Sequence, residues 1–163
     1  EFDIAHRLGS GFLREYSKGF VSKENNAYLY NYSFSPHDDS TPFDNLYYQS
    51  EVLKNGINLC INRARNEGTS LLIEGVNVIP GLFDYKKSVL QIVLYVEDYD
   101  QHFNMIRGKT HSKRSINEND FLQVRKIQNE FIIRAKTFNW PTINVSSTKD
   151  IIKEIEVLIK RKD

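Results

Sequence analysis

The sequence predicts an α/β protein built on a mainly parallel sheet. Two short segments, 70–74 (SLLIE) and 89–96 (VLQIVLYV), are almost continuously apolar, as strands buried on both faces of a parallel sheet are. Segments in which apolar residues recur with helical spacing lie before and after these two segments. Strands that alternate with helices are typical of a parallel sheet flanked by helices.

The composition excludes several classes of protein. The chain has 163 residues, of which 40% are hydrophobic and 26% charged, so it suits one globular domain and not a disordered chain. Its formal net charge of +1 gives no overall field that would attract nucleic acid or a membrane surface. No signal peptide or membrane-spanning segment is evident. The single cysteine, Cys60, fits a reducing compartment, so we expect a cytoplasmic protein in which this thiol is a small buried hydrophobe on a helix.

The first elements are short. Residues 2–8 predict the end of a helix, because their apolar residues fall on one helical face and Gly9 follows as a stop signal. A second helix is predicted over 12–18. Residues 20–43 are rich in aromatic and polar side chains and predict an irregular segment, and loops of this length are often functional.

The middle of the chain predicts two helices and two strands. Helical spacing of apolar residues extends over 44–66, and Gly68 is placed to end this helix. The strands 70–74 and 89–96 follow. A helix over 97–107 begins with two acidic residues, which favour the positive end of the helix dipole.

The last third begins with a basic loop, 108–116 (GKTHSKRSI). A long helix to about Lys136, a strand over 142–145 and a final helix follow it, so we expect three strands in all. The predicted N-terminal caps of these two helices are Asn117 or Asn119 and then Ser147 or Thr148.

Glu74 is the strongest candidate for a chemical role. It ends a predicted buried strand, and open α/β sheets bind their ligands at the carboxyl ends of the strands. In phosphoryl transfer a carboxylate there can orient the water shell of Mg²⁺ or accept the proton of the attacking hydroxyl. Gly75 would let the backbone approach a ligand closely. The alternative is that Glu74 is only a solvated strand end.

Cations form two further candidate groups. A basic loop can close over phosphates and neutralise the charge of the transferred group, although an ordinary solvated loop has the same composition. Arg14, on the predicted second helix, can bind a phosphate or carboxylate with two hydrogen bonds, or it can simply pair with Glu15 at the surface. The basic residues in this loop and directly before it are Arg107, Lys109, His111, Lys113 and Arg114.

Other catalytic motifs are absent from the sequence. Gly108-Lys109-Thr110 looks like the end of a phosphate-binding loop, but the pattern G-x-x-x-x-G-K-[ST] requires glycine at position 103, which is Phe103. No other segment matches this pattern. The histidines and the cysteine lack zinc-ligand spacing, and no serine lies in a nucleophile elbow, so zinc-dependent and serine-dependent hydrolysis are disfavoured.

The segment Ile73–Gly81 (IEGVNVIPG) resembles the I-E-G-V-H-x-x-P-G segment of the archaeal 2-phosphoglycerate kinases, which are P-loop kinases of adenylate-kinase-like architecture. Residues 6–9 (HRLG) are similar to the A-x-R-L-G that follows the P-loop helix of that family, and 13–15 (LRE) to its I-R-E. Residues 124–128 (VRKIQ) and 141–144 (PTIN) are similar to its I-R-x-I-Q helix and P-x-I-x-N strand.

This resemblance implies a function and a set of site residues. It implies a single kinase-like domain over 1–163 that uses ATP and Mg²⁺ to convert 2-phosphoglycerate to 2,3-bisphosphoglycerate, with a lid over about 107–117. The implied catalytic residues are Glu74, which also meets Mg²⁺ through water, Arg107 and Arg114. The implied substrate-binding residues are Arg14, Asn77 and Arg125. The implied nucleotide-binding residues are Lys113, Asn144 and Ser146.

The sequence departs from the family at several points. Asn77 replaces the histidine of the Glu-Gly segment, and only 10–12 (SGF) lie where the family often has a strand and Thr-Asp. The P-loop and its central strand are not among these residues, so we expect about 20 or more residues upstream that hold them. Two alternatives remain: a kinase of this fold with another small-molecule or nucleotide acceptor, and a non-catalytic ligand-binding relative. We expect no nucleic-acid or membrane partner, and the oligomeric state stays open.

Overall fold

A computed structural model describes residues 2–35, 39–83, 85, 88–108 and 116–161. The chain divides into two compact units, residues 1–83 and 84–163. Each unit contains one two-stranded parallel sheet.

The first unit holds two strands, two α-helices and a short 3₁₀ helix over Ala27–Tyr30. In chain order they are β1 (His6–Gly9), α1 (Ser10–Ser17), the 3₁₀ helix, α2 (Pro42–Glu67) and β2 (Leu71–Glu74). Gly9 lies opposite Glu74, the last residue of β2, so the two parallel strands end together. This shared carboxyl edge is where the chain turns into α1 on one side and into Gly75 on the other.

The prediction of a helix end over residues 2–8 is wrong, because His6–Gly9 form strand β1. The His6 amide donates to the Ser70 carbonyl over 3.1 Å, and the Ala5 amide donates to Ser70 Oγ over 2.9 Å. In so short a segment, pairing with a distant strand outweighs the local spacing of apolar residues. A strand therefore does precede Leu13, and the described residues contain four strands where the sequence predicted three.

Helix α2 is confirmed, and it begins two residues earlier than predicted. Thr41 Oγ1 accepts the Asp44 amide at 3.1 Å, and Asp44 Oδ2 accepts the Thr41 amide at 2.9 Å, which satisfies two donors at the helix start. Hydrogen bonds from Thr41 hold the pKa of Asp44 below its usual value. Gly68 ends the helix in the left-handed conformation, as predicted.

The irregular segment after α1 is bound to α2 by buried amides. Gln49 Nε2 donates to the carbonyls of Tyr28 at 2.7 Å and Asn31 at 3.0 Å, and Asn45 Nδ2 donates to the Tyr32 carbonyl at 2.9 Å. Because these polar side chains are fully buried, their hydrogen bonds fix the loop against the helix. The core beside them contains Leu29, Leu46, Leu53 and Ile57.

The described residues of the second unit form two strands and three α-helices. They are β3 (Val93–Tyr95), α3 (Tyr99–Ile106), α4 (Glu118–Thr137), β4 (Thr142–Asn144) and α5 (Ile151–Lys160). Tyr95 lies opposite Asn144, so the carboxyl ends of β3 and β4 also coincide. The strand predicted over 89–96 is shorter than expected. In the core, the fully buried Phe121 contacts the rings of Tyr99 and Phe103, each at a centroid distance of 4.9 Å.

Of the two helix caps predicted in this unit, one is confirmed and one is wrong. Asn117 caps α4, and its Oδ1 accepts the Asp120 amide at 2.8 Å. Asp150, and neither Ser147 nor Thr148, caps α5. The amides of Ser147 and Thr148 instead donate to the Asn144 carbonyl and close a turn after β4, so the helix starts later.

Cys60 lies on α2 as predicted, but its side chain is only half-buried and is not part of the core. Among the residues that the structure describes, no helix combines the length and the apolar character needed to cross a membrane.

Candidate functional site

Glu74 lies at the carboxyl edge of the β1–β2 sheet. Its Oε1 accepts two hydrogen bonds from Arg7, from Nε at 3.1 Å and from Nη2 at 2.7 Å. Arg7 lies opposite Leu72, so Arg7, Leu72 and Glu74 share one face of the sheet. The Glu74 side chain is 49% exposed, and Oε2 receives no hydrogen bond from the described part of the chain. One oxygen is therefore held in place and the other is open to a ligand.

A tight turn follows Glu74. Gly75 has a φ of 121°, a conformation that strains residues with a side chain, and a Cβ at this position would collide with the hydroxyl of Ser10. Ser10 is buried, and its Oγ accepts the Asn77 amide at 3.4 Å. The glycine thus allows the start of α1 to pack directly against the turn that follows the carboxylate.

Asn77 is buried beneath this turn. Its Nδ2 donates to Ser50 Oγ at 3.2 Å, and the Ser50 hydroxyl donates to the Leu46 carbonyl at 2.7 Å. Asn77 is 2% exposed, so in this structure its side chain connects the Glu74 turn to α2 and does not reach solvent. A role in substrate binding stays a prediction.

Arg14 projects from α1 and is largely buried. Its Nη1 donates to the Asn31 carbonyl and its Nη2 to Glu15 Oε1, each at 3.2 Å. Its Nε is buried and has no hydrogen-bond partner among the described residues. Glu15 also pairs with Lys18, and the hydrogen bond from Lys18, with that from Arg14, lowers the pKa of Glu15.

The start of α1 adds positive potential to the edge that carries Glu74. The helix begins directly after Gly9, no side chain caps it, and its first turn contains no acidic residue. The first amides of a helix carry partial positive charge, which favours anions nearby. Arg7 and these amides therefore surround one carboxylate with positive potential.

Arg125 of α4 binds backbone in the second unit. Its Nη1 donates to the Val96 carbonyl at 2.7 Å and its Nη2 to the Glu97 carbonyl at 3.1 Å. Gln128 exchanges two hydrogen bonds with Val96, each 3.0 Å long. These contacts give the V-R-K-I-Q pattern a structural reason, since both polar side chains satisfy backbone groups after β3. Substrate binding by Arg125 stays a prediction.

Asn144 and Ser146 connect the ends of β3 and β4. Asn144 Oδ1 accepts the Ser146 hydroxyl at 2.6 Å and the Glu97 amide at 3.2 Å, while its Nδ2 donates to Glu97 Oε2 at 2.8 Å. Ser146 Oγ accepts the Asp98 amide at 3.3 Å. The structure brings these two predicted nucleotide-binding residues together, and their contact with a nucleotide stays a prediction.

The predicted lid lies mostly outside the described residues, including Lys113 and Arg114. Arg107 is described, and its guanidinium lies over the ring of Phe103 at 5.0 Å, directly after α3. The second unit also contains an open groove of about 510 Å³ between β4 and α5, lined in part by Lys149 and Lys153. None of the predicted site residues lines this groove.

His102 lies beside Arg125, with 3.2 Å between Nδ1 and Nη1. Burial, and then the charge of Arg125, lowers the pKa of His102 below its usual 6.5. The folded protein therefore binds fewer protons at this site than the unfolded chain does. The stability that results is present above about pH 6.5 and is lost as the pH falls below it.

We expect His102→Gln to remove part of this acid sensitivity. The free energy of unfolding, measured by urea denaturation at about pH 7.5 and about pH 5, should fall less in the variant than in the wild type, because glutamine does not titrate. Loss of the ring contact with Phe121 lowers stability equally at both pH values, so the difference between them is the informative quantity. An identical decrease in both proteins would contradict this role of His102.

No protein-family model and no solved structure matches the chain. The 2-phosphoglycerate kinase of Methanococcus maripaludis C6 is 26% identical over 191 residues, which cover 98% of this chain and 59% of that protein. The enzyme of Methanothermobacter thermautotrophicus is 25% identical over 98% of this chain and 59% of its own length. The chain is thus distantly similar to proteins named 2-phosphoglycerate kinase. The protein of that name from Pyrococcus horikoshii is 30% identical over 65% of this chain and 37% of its own length.

The chain spans less than two thirds of the length of these 2-phosphoglycerate kinases. Its five α-helices and short parallel strands, counted over the described residues, are compatible with a P-loop kinase-like fold.

The residues near Glu74 fit the way in which kinases hold Mg²⁺. Such an ion is bound mainly by substrate phosphates and waters, with one or two carboxylates beside them. The described residues contain no group of three or more potential metal ligands, and Glu74 offers one open carboxylate oxygen. This arrangement suits contact with the ion through water and not a dedicated protein cage.

Sequence reasoning missed Arg7 and Ser10, the two residues of this edge that contact Glu74 and its turn. Both fell within or beside a segment predicted as the end of a helix, where neither would face Glu74. Residues 6–9 (HRLG) gave no usable signal, because four residues cannot distinguish the period of a strand from that of a helix.

Proposed function

We propose that the protein transfers the terminal phosphoryl group of ATP to a small phosphorylated hydroxy acid. The acceptor that we favour is 2-phosphoglycerate, which would give 2,3-bisphosphoglycerate. The observation that carries the proposal is Glu74, held by Arg7 with one oxygen open at the carboxyl edge of a parallel sheet. The names and the coverage of the distant relatives support the same reaction.

Phosphoryl transfer depends on positioning and on charge stabilisation. The hydroxyl oxygen of the acceptor forms a bond to the γ-phosphorus, the bond from that phosphorus to the ADP oxygen breaks, and the hydroxyl proton passes to Glu74 Oε2. Arg7 keeps the carboxylate oriented through Oε1. When bound, Mg²⁺ supplies neutralisation of the phosphate charge, and Glu74 would meet it through water.

The remaining predicted residues complete the proposal. Arg14 would bind an anionic group of the acceptor, and Asn77 and Arg125 would assist. In the lid over about 107–117, Arg107, Lys113 and Arg114 would neutralise the phosphates. Asn144 and Ser146 would line the adenine pocket of a single kinase-like domain.

The sheet edges support a further proposed element. Among the described strands, β2 pairs only with β1 and β3 only with β4, so each has one unpaired edge. Unpaired strand edges leave backbone donors and acceptors free to accept another strand. Each of these edges could therefore accept the strand with a phosphate-binding loop that the resemblance implies.

A ligand-binding protein without turnover is the second candidate. The observation that favours it is the absence of the pattern G-x-x-x-x-G-K-[ST] from the 163 residues. A protein of this kind would keep the positive edge around Glu74 and bind an anionic ligand there.

An acceptor panel tests the proposed reaction. The full-length protein is incubated with ATP, Mg²⁺ and one acceptor at a time: 2-phosphoglycerate, 3-phosphoglycerate, glycerate, a sugar or a nucleoside monophosphate. We expect the fastest ADP release with 2-phosphoglycerate and a new phosphomonoester signal in the ³¹P NMR spectrum. Faster ADP release with a nucleotide or a sugar would show that this compound, and not 2-phosphoglycerate, is the acceptor. Thermal stabilisation by the ligands without transfer would support the second candidate.

A further inference from the structure

We infer that Arg7 is a substrate-binding residue. It holds an oxyanion of the acceptor next to the hydroxyl group whose proton Glu74 accepts. This inference rests on the proposed function and deepens it, because it assigns the acceptor to one pair of side chains on adjacent strands. Arg7 lies within residues 6–9, a segment that carries part of the resemblance, but the resemblance assigns it no function. It is assigned from its contacts alone.

The register of β1 and β2 creates the pair. Arg7 lies opposite Leu72, and Glu74 lies two residues further along the same face, so the guanidinium reaches the carboxylate diagonally. Both hydrogen bonds end on Oε1, from Nε and Nη2. Nη1 of Arg7 and Oε2 of Glu74 have no partners in the part of the chain that is described. The pair thus offers one donor group and one acceptor that have no partner among the described residues.

Stability does not account for this pair. The side chains of Arg7 and Glu74 are 68% and 49% exposed, and ion pairs at such sites contribute little to folding. A guanidinium, in contrast, matches the planar arrangement of carboxylate and phosphate oxygens, and it keeps its charge at all physiological pH values. Binding is therefore the role in which this arginine has a large effect.

The chemistry of the pair defines a class of acceptor. A ligand that uses both residues carries a hydroxyl that can donate to Oε2 and an oxyanion that can accept from Nη1, separated by only two or three bonds along a short carbon chain. Small hydroxy acids and their phosphate esters fit this description. 2-Phosphoglycerate offers both a carboxylate and a phosphate near its free hydroxyl, and either can be the oxyanion.

Variants at Arg7 test the assignment. We expect Arg7→Gln to raise the KM for 2-phosphoglycerate by roughly tenfold or more with a smaller change in kcat, and Arg7→Lys to restore part of the loss, because lysine keeps the charge without the planar pair of donors. Arg63→Gln is the matched control. Arg63 is also an exposed arginine, 78% exposed, and it pairs with Glu67 at 2.9 Å on α2. Its substitution should leave KM unchanged.

Two partial acceptors identify the oxyanion. Glycerate keeps the carboxylate and lacks the phosphate, whereas glycerol 2-phosphate keeps the phosphate and lacks the carboxylate. Calorimetry measures the affinity of the wild type and of Arg7→Gln for each compound. The compound that Arg7→Gln binds more weakly than the wild type does contains the group that Arg7 holds. Urea denaturation of each variant checks that the fold is intact, since loss of an exposed ion pair should hardly change the midpoint.

The outcomes separate this inference from the proposed function. If the wild type phosphorylates 2-phosphoglycerate and Arg7→Gln has a KM within twofold of it, or if Arg63→Gln raises KM equally, the assignment of Arg7 is overturned alone. If the wild type neither binds nor phosphorylates 2-phosphoglycerate, the proposed function fails and the assignment fails with it.

Discussion

Glu74→Gln is expected to lower kcat by about 10²- to 10⁴-fold while ATP binding stays close to that of the wild type. The substitution keeps the shape of the side chain, and its amide oxygen can still accept from Arg7, but it cannot take up the proton of the acceptor hydroxyl. Single-turnover transfer from ATP to 2-phosphoglycerate measures the chemical step, and a nucleotide titration measures binding separately.

Glu67→Gln is the matched control for this experiment. Glu67 is exposed to a similar degree, 45% against 49%, and it also accepts from an arginine, but it lies at the end of α2. We expect normal turnover in this variant. Near-normal turnover in Glu74→Gln would remove Glu74 from the mechanism, and equal losses in both variants would point to a general effect of charge.

Gly75→Ala is expected to give the largest loss of stability, about 2–4 kcal/mol in the free energy of unfolding. Two effects add: the backbone at φ 121° is unfavourable for alanine, and the new Cβ collides with the buried Ser10 hydroxyl. Since the turn follows Glu74 directly, kcat should fall as well. The midpoint of urea denaturation measures the change in stability.

Gly56→Ala controls for the replacement of a glycine. Gly56 lies inside α2 with open space around the position of a Cβ, so alanine should stabilise the protein by about 0.5–1 kcal/mol. The double variant Ser10→Gly with Gly75→Ala separates the two effects. If the double variant is more stable than the sum of the two single changes predicts, the collision with Ser10 is the main cause of the loss. An unchanged midpoint in Gly75→Ala would mean that the turn has another conformation.

Elements with strong local signals were predictable from the sequence. Helix α2 has helical spacing throughout, with Gly68 directly after it, and Asn117 precedes α4 with an acidic residue three positions later. Strand β1 had no such signal, because four residues cannot establish a period and the strand forms only by pairing with β2, more than sixty residues away. The start of α5 could not be predicted, because it depends on a turn after β4 that no local sequence pattern indicates.

The candidate site was predictable only in part. The place of Glu74 at a sheet edge followed from an apolar segment that ends in Glu-Gly. Its partner Arg7 could not be predicted, because the contact depends on the register between two strands. The hydrogen bonds of Arg125 with backbone and those of Asn144 with Glu97 are likewise tertiary contacts that residue type alone does not specify.

The central claim is that the acceptor binds at the carboxyl edge of β1 and β2. Titration of the ¹⁵N-labelled full-length protein with 2-phosphoglycerate, followed through backbone amide signals, tests it most directly. The account predicts saturable shifts at residues 9–11 and 74–76, with the shifts reduced in Arg7→Gln. Saturable shifts confined to the groove between β4 and α5, or none near Glu74 at saturating ligand, would contradict it.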